Sequence, residues 1–89
     1  MSFYYFDKLE NNIINLENIT DKIQAYIFLS NHFQDMNSYE KSLLHINNAL
    51  DICDKNNYIS LYLIAVRNKA LLLENIGKEN EAYELLQIY

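Results

Sequence analysis

Residues 26–49 read YIFLSNHFQDMNSYEKSLLHINNA, and residues 66–89 read VRNKALLLENIGKENEAYELLQIY. Laid over one another at an offset of 40 residues, the two stretches agree in the character of their key positions. Tyr26 falls on Val66, Ser30 on Ala70, and Phe33 on Leu73. Asn37 and Ser38 fall near Gly77, Ser42 on Ala82, Ile46 on Leu86, and Ala49 on Tyr89. In each copy a large apolar residue, a small residue and another large one recur at spacings of three and four. That is the face of an amphipathic helix, followed by a break and a second such helix. The small residues have a packing meaning. Ser30 and Ala70 let a partner helix come close, and Ala82 does so from the other side.

The same periodicity extends outward from the repeat. Phe3, Phe6, Leu9, Ile13 and Leu16 form the stripe of a first helix, widened by Tyr5 and Ile14. NIT at 18–20 ends it, and Thr20 is the expected N-cap of the next helix, with Asp21 in its first turn. The second helix is expected over about 21–36, with Ile23, Tyr26, Ile27, Leu29, Ser30 and Phe33 inward. Ser38 then caps a third helix lined by Leu43, Ile46, Ala49, Leu50 and Cys53. DKNN ends it, and a fourth runs over about 58–76. Gly77 suits the left-handed position that terminates many helices. A fifth helix fills the remainder.

The composition fits this pattern. The 89 residues are 51% hydrophobic, with eight Tyr and four Phe, no Pro and one Gly, which suits helices better than a turn-rich β fold. The expectation is one all-α domain over 1–89: an N-terminal helix at 1–19, a helical hairpin at 20–57 and a second at 58–89. Net charge is −5, and the cations Lys8, Lys22, Lys41, Lys55, Arg67, Lys69 and Lys78 are scattered. No stretch can neutralise a row of phosphates, so no nucleic-acid partner is expected. The longest apolar run, Leu61 to Val66, is far short of a membrane span. MSFYYFDKLENN lacks the basic start and apolar core of a secretion signal, and a lone Cys53 cannot form an internal disulfide. A cytoplasmic protein that does not bind membranes is expected.

At Tyr26, Leu29, Ser30, Phe33, Ser42, Ile46 and Ala49, and again at Val66, Ala70, Leu73, Gly77, Ala82 and Leu86, the chain resembles a tetratricopeptide repeat (TPR). Lys69 and Tyr89 depart from that pattern, and no proline closes either unit. The resemblance implies a five-helix antiparallel α–α superhelix with two hairpins and an added N-terminal helix. The 40-residue offset exceeds the usual period of about 34. In this it is similar to the longer repeats of peptide-sensing bacterial regulators of the Rap and PlcR type. The resemblance implies that the first helix of each hairpin lines a concave surface. Gln24, Ile27, Asn31, Gln34 and Asp35 would then face inward from one, and Ile64, Arg67, Asn68, Leu71 and Asn75 from the other. Asn31 and Asn68 can both donate to and accept from a peptide backbone, and Arg67 can fork onto a carboxylate. The competing reading is a solvated polar surface in a chain rich in Asn.

Enzymatic or metal chemistry has little to stand on. The titratable candidates are His32, His45 and Cys53. No CxxC or HExxH spacing exists, and the bland reading is a buried thiol with two partly exposed imidazoles. Glu79, Glu81 and Glu84 read as a solvated, dipole-matched first turn. No cofactor is expected. Tyr4 and Tyr5 cannot share the inward face of Phe3 and Phe6, so exposed aromatics are expected there. On the fifth helix, Ala82 and Leu86 are expected to pack inward. Leu85, Ile88 and Tyr89 are then left to face another molecule, either a second copy in a homodimer or a different protein. The sequence thus points to a non-enzymatic adaptor, inhibitor or anti-regulator of bacterial or phage origin that binds a protein or short peptide. The alternatives are a dimeric peptide sensor of quorum-sensing type and, less favoured, a small helical metal protein or enzyme.

Overall fold

A computed structural model of the chain describes residues 3–87, with side chains for 8–13 and 15–87. The fold is all-α, with five helices: α1 Phe3–Asn12, α2 Ile19–Asp35, α3 Tyr39–Asn56, α4 Ile59–Asn75 and α5 Glu79–Gln87. Each helix packs chiefly on its neighbours in sequence, and α2 also reaches α4. The described residues are therefore stacked in chain order rather than gathered round one centre, and the body is flat, 35 × 30 × 15 Å.

The register is regular. Helices α2 to α5 begin at residues 19, 39, 59 and 79, in steps of twenty. Each of the three turns between them contains one residue with positive φ, again twenty apart: Asn37 (62°), Asn57 (59°) and Gly77 (85°). The turns after α2 and α4 share their hydrogen bonds as well. Ser38 N–H donates to Phe33 O and Lys78 N–H to Leu73 O, both at 2.8 Å. Asn37 N–H donates to Gln34 O at 3.0 Å and Gly77 N–H to Glu74 O at 3.1 Å. Such paired bonds around a left-handed residue satisfy the last carbonyls of a helix and reverse the chain. Asn and Gly tolerate the left-handed region better than other residues, which is why they stand at these turns.

The small positions do what their size permits. Ser30 and Ser42 are buried where α2 meets α3, as Ala70 and Ala82 are where α4 meets α5. The serines are cross-bonded. Ser30 Oγ donates to Ser42 O at 2.9 Å, and Ser42 Oγ donates to Ser30 O at 2.7 Å. Each hydroxyl has a single hydrogen, so the 3.0 Å approach of the two oxygens is a contact that this reciprocal pairing imposes. Such bonds need the two backbones close together. The main core lies beside this seam and contains Ile23, Ile46, Ala49, Cys53, Ala65 and Leu72. A smaller cluster, Ile13, Ala25, Leu29 and Phe33 with Leu9, Leu16 and Tyr26, holds the N-terminal segment on α2.

Three local expectations need correction. The first helix does not continue to Leu16 but stops at Asn12 and tightens into a 3₁₀ turn over Ile13–Asn15. There Asn12 Nδ2 bonds back to Lys8 O at 2.8 Å, the local competition that makes Asn a poor helix interior residue. The N-cap of α2 is Asn18 rather than Thr20. Its side chain accepts from Asp21 N–H at 3.0 Å, and Thr20 already lies inside the helix. Ser38 occupies the cap position of α3, but its side chain makes no capping bond.

Gly77→Ala should cost about 1 kcal/mol in urea unfolding. An added Cβ meets no atom within 4 Å, so the cost comes from the left-handed backbone alone. Asn37→Gly should be neutral or slightly stabilising in the same experiment. A loss at Asn37→Gly as large as that at Gly77→Ala would contradict this account of the turns.

Candidate binding groove

One side of α2 carries Asp21, Gln24, Ala25, Phe28 and Asn31 at spacings of three and four, so they share a stripe. With Ile27 beside them, they form one wall of a cleft of about 570 Å³. Leu61 and Ile64 of α4 supply the facing wall, and Leu9 of α1 and Leu16 close the N-terminal end. The lining is mostly apolar. Phe28 keeps 48% of its surface exposed and Ile64 45%, although both are large hydrophobic residues. Asp21, Gln24 and Asn31 are the polar groups among the lining residues.

Of the residues expected on the concave side, the structure brings Gln24, Ile27, Asn31 and Ile64 together in this cleft. Arg67, Leu71 and Asn75 are exposed on α4 outside it, with Leu71 at 56%. Gln34 is half-buried and Asp35 exposed, both beyond the cleft lining on α2. Asn68 turns its Nδ2 onto Ile64 O at 3.1 Å, so one of its donors is spent on its own helix. Phe28 was missed by sequence reasoning. It lies four residues after Gln24 and three before Asn31, so the stripe that includes both already contained it. Tyr4 and Tyr5 lie in α1, with side chains outside the described residues, and Ile88 and Tyr89 also lie outside them.

The N-terminal segment that closes the cleft is held by a polar contact through the body of the first hairpin. His45, expected to be partly exposed, is buried. Its ring is stacked between Tyr26 and Phe33, with centroids 5.8 and 5.5 Å away. Its Nε2 lies 2.8 Å from Glu10 Oε2 of α1. A carboxylate accepts, so Nε2 carries the proton of this bond. Nδ1 is buried without a partner, the one such side-chain atom among the described residues. Lys41 reaches the other oxygen of Glu10 at 3.5 Å and lies 4.7 Å above the Phe33 ring. The lysine is well exposed, so its ion pair contributes little.

The remaining chemical candidates are dispersed. Cys53 is buried, and burial pushes its thiol above the ordinary range, which disfavours the nucleophilic thiolate. His32 meets the edge of Phe33 on α2. No group of three or more His, Cys, Asp or Glu suited to a metal occurs among the described residues. No helix among them is long and apolar enough to cross a membrane. Compared with family models, curated proteins and solved structures, the chain matches none of them.

Glu10→Ala should lower stability by about 1–3 kcal/mol, because it strands the buried Nε2–H. Hydrogen exchange should speed up selectively in α1, with α3 and α4 protected as before, and Glu10→Gln should recover part of the loss by keeping an acceptor. Unchanged exchange in α1 would show that packing of Leu9, Ile13 and Leu16 holds the segment without this bond.

Proposed function

We propose that the protein is a non-enzymatic interaction module that binds a protein or peptide segment in the cleft between α2 and α4. The observation that carries this reading is the exposure of Phe28 and Ile64 on opposite walls of one mostly apolar cleft. Apolar concavities with a few polar groups at the edge are where binding energy concentrates. Gln24 and Asn31 offer donors and acceptors to the backbone of a bound segment, and Asp21 favours a cationic group at one end. The twenty-residue register of helices and turns supports a tetratricopeptide-like array, a scaffold suited to presenting such a surface. The same reading puts the protein in the cytoplasm, where a single buried thiol stays reduced.

The test is affinity capture from a lysate of the protein's own cell, comparing the wild type with Ile64→Lys and Phe28→Lys. Both side chains are half exposed, so both variants should fold, as circular dichroism will report. A stoichiometric partner should be lost from both, with affinity down roughly thirtyfold or more, as for a central anchor. A partner retained by both variants would place binding elsewhere.

A further inference from the structure

Leu9 and Leu16 each serve two surfaces. They pack on the cluster of Ile13, Ala25, Leu29 and Phe33 that holds the N-terminal segment on α2. They also line the cleft between α2 and α4. Both are half-buried, so each keeps open surface while part of it is packed on α2. A molecule in the cleft that covers this open surface gains contacts that exist only while the segment is in place.

The segment is fastened by residues that the cleft does not contain. Ile13 is 5% exposed beneath it. Glu10 reaches His45 at 2.8 Å and Lys41 at 3.5 Å. None of these four residues lines the cleft. The apolar anchor is therefore on α2 and the polar one on α3, while the cleft lies between α2 and α4. The covalent link to α2 is short and not helical. Leu16 N–H donates to Ile13 O at 3.2 Å, closing the 3₁₀ turn, and Leu16 itself is extended, with φ −70° and ψ 127°. Residues 16–18 belong to no helix. Short 3₁₀ pieces of this kind serve as connectors and hinges. Side-chain contacts, not a continuous helix, set where the Leu9 wall stands.

We propose that the N-terminal segment regulates the cleft, with attachment of the segment and occupancy of the cleft coupled. Glu10 and Ile13 are positioning residues that raise affinity without touching the occupant. The proposal rests on the cleft as the binding site. Coupling of this kind is reciprocal: what fastens the segment tightens binding, and an occupant fastens the segment. A segment attached for only a fraction of the time lowers the apparent affinity by that fraction. A change that breaks the Glu10–His45 contact thus loosens the occupant without entering the cleft.

The test uses N-phenyl-1-naphthylamine, an uncharged apolar dye that brightens on leaving water, titrated into the whole chain. Ile64→Lys, on the α4 wall, should weaken dye binding about tenfold or more and so identifies the site. Glu10→Ala and Ile13→Ala should each weaken it about threefold or more, and their combination further. Glu10→Gln, which keeps an acceptor for His45, should weaken it less than Glu10→Ala. Gly77→Ala, which loses stability at the α4–α5 turn, should leave it unchanged. The reciprocal effect is read by hydrogen exchange. Saturating dye should slow exchange over residues 9–16 more than in α5, the reference at the other end of the stack. There Ala82 and Leu85 pack inward with Ala70, Leu73 and Ile76, and Leu86 is 44% exposed, which reverses the expectation for Leu85 and Leu86. Circular dichroism checks that each variant is folded. Binding that is lost with Ile64→Lys but unchanged by Glu10→Ala and by Ile13→Ala overturns the coupling and leaves the cleft reading in place. Tighter binding to Glu10→Ala also overturns it, because the segment would then cover the site. Dye that does not bind, or binds Ile64→Lys as it binds the wild type, overturns the cleft as an apolar receptor and the coupling with it.

Discussion

The structure depends on how closely paired helices approach at their small residues. Ser30 against Ser42 and Ala70 against Ala82 allow α2–α3 and α4–α5 to sit near enough for large neighbours to interlock on either side. The serine seam goes further, because its two hydroxyls each satisfy a carbonyl across the interface. A hydroxyl inside a helix usually bonds back to its own turn, and here it joins two helices instead. The turns complete the constraint. A left-handed residue every twenty positions gives α2 and α4 the same end and sends the chain back antiparallel, so the seams form with the same residues in register. The cleft between α2 and α4 is a consequence of that stacking.

Much of this was legible in the sequence because it is periodic. Helix number, the 40-residue offset, the small positions and the left-handed role of Gly77 all follow from spacing. What was not legible depended on single rotations or on distant partners. Neighbouring positions on a helix differ by about 100°, so assigning Leu86 rather than Leu85 to the inner face was a one-step slip. The burial of His45 could not be read locally, since its partner Glu10 is 35 residues away and on another helix. The capping residue was misplaced by two positions, because Asn18 and Thr20 both suit the role and only geometry decides between them. In the groove, Gln24, Ile27 and Asn31 were legible from the helical stripe of α2. Asn68 was not, because its side-chain bond to Ile64 O depends on the rotamer it adopts.

The histidine contact and the cleft belong together physically. Glu10 anchors α1 to a ring held between Tyr26 and Phe33, and that segment supplies the Leu9 wall of the cleft. A cleft assembled from three helices is only as well shaped as the attachment of its least secured member. In this chain that member is the N-terminal segment, whose described side chains Leu9, Ile13 and Leu16 pack on α2. The buried Nδ1 without a partner is a cost the aromatic stack must offset.

The measurement that bears most directly on the seam is a double-mutant cycle in urea on Ser30→Ala and Ser42→Ala. Each single change removes one hydroxyl and the bond it donates, while the carbonyl keeps its own helix bond, so each should cost about 0.5–1.5 kcal/mol. The double variant reproduces the Ala–Ala pair already present at Ala70 and Ala82. Because both bonds depend on the same close approach of the two backbones, its cost should fall short of the sum, with a coupling energy of about 0.5 kcal/mol or more. Costs that simply add would show that the two hydroxyls act independently, and would contradict the seam as the contact that sets the helices' approach.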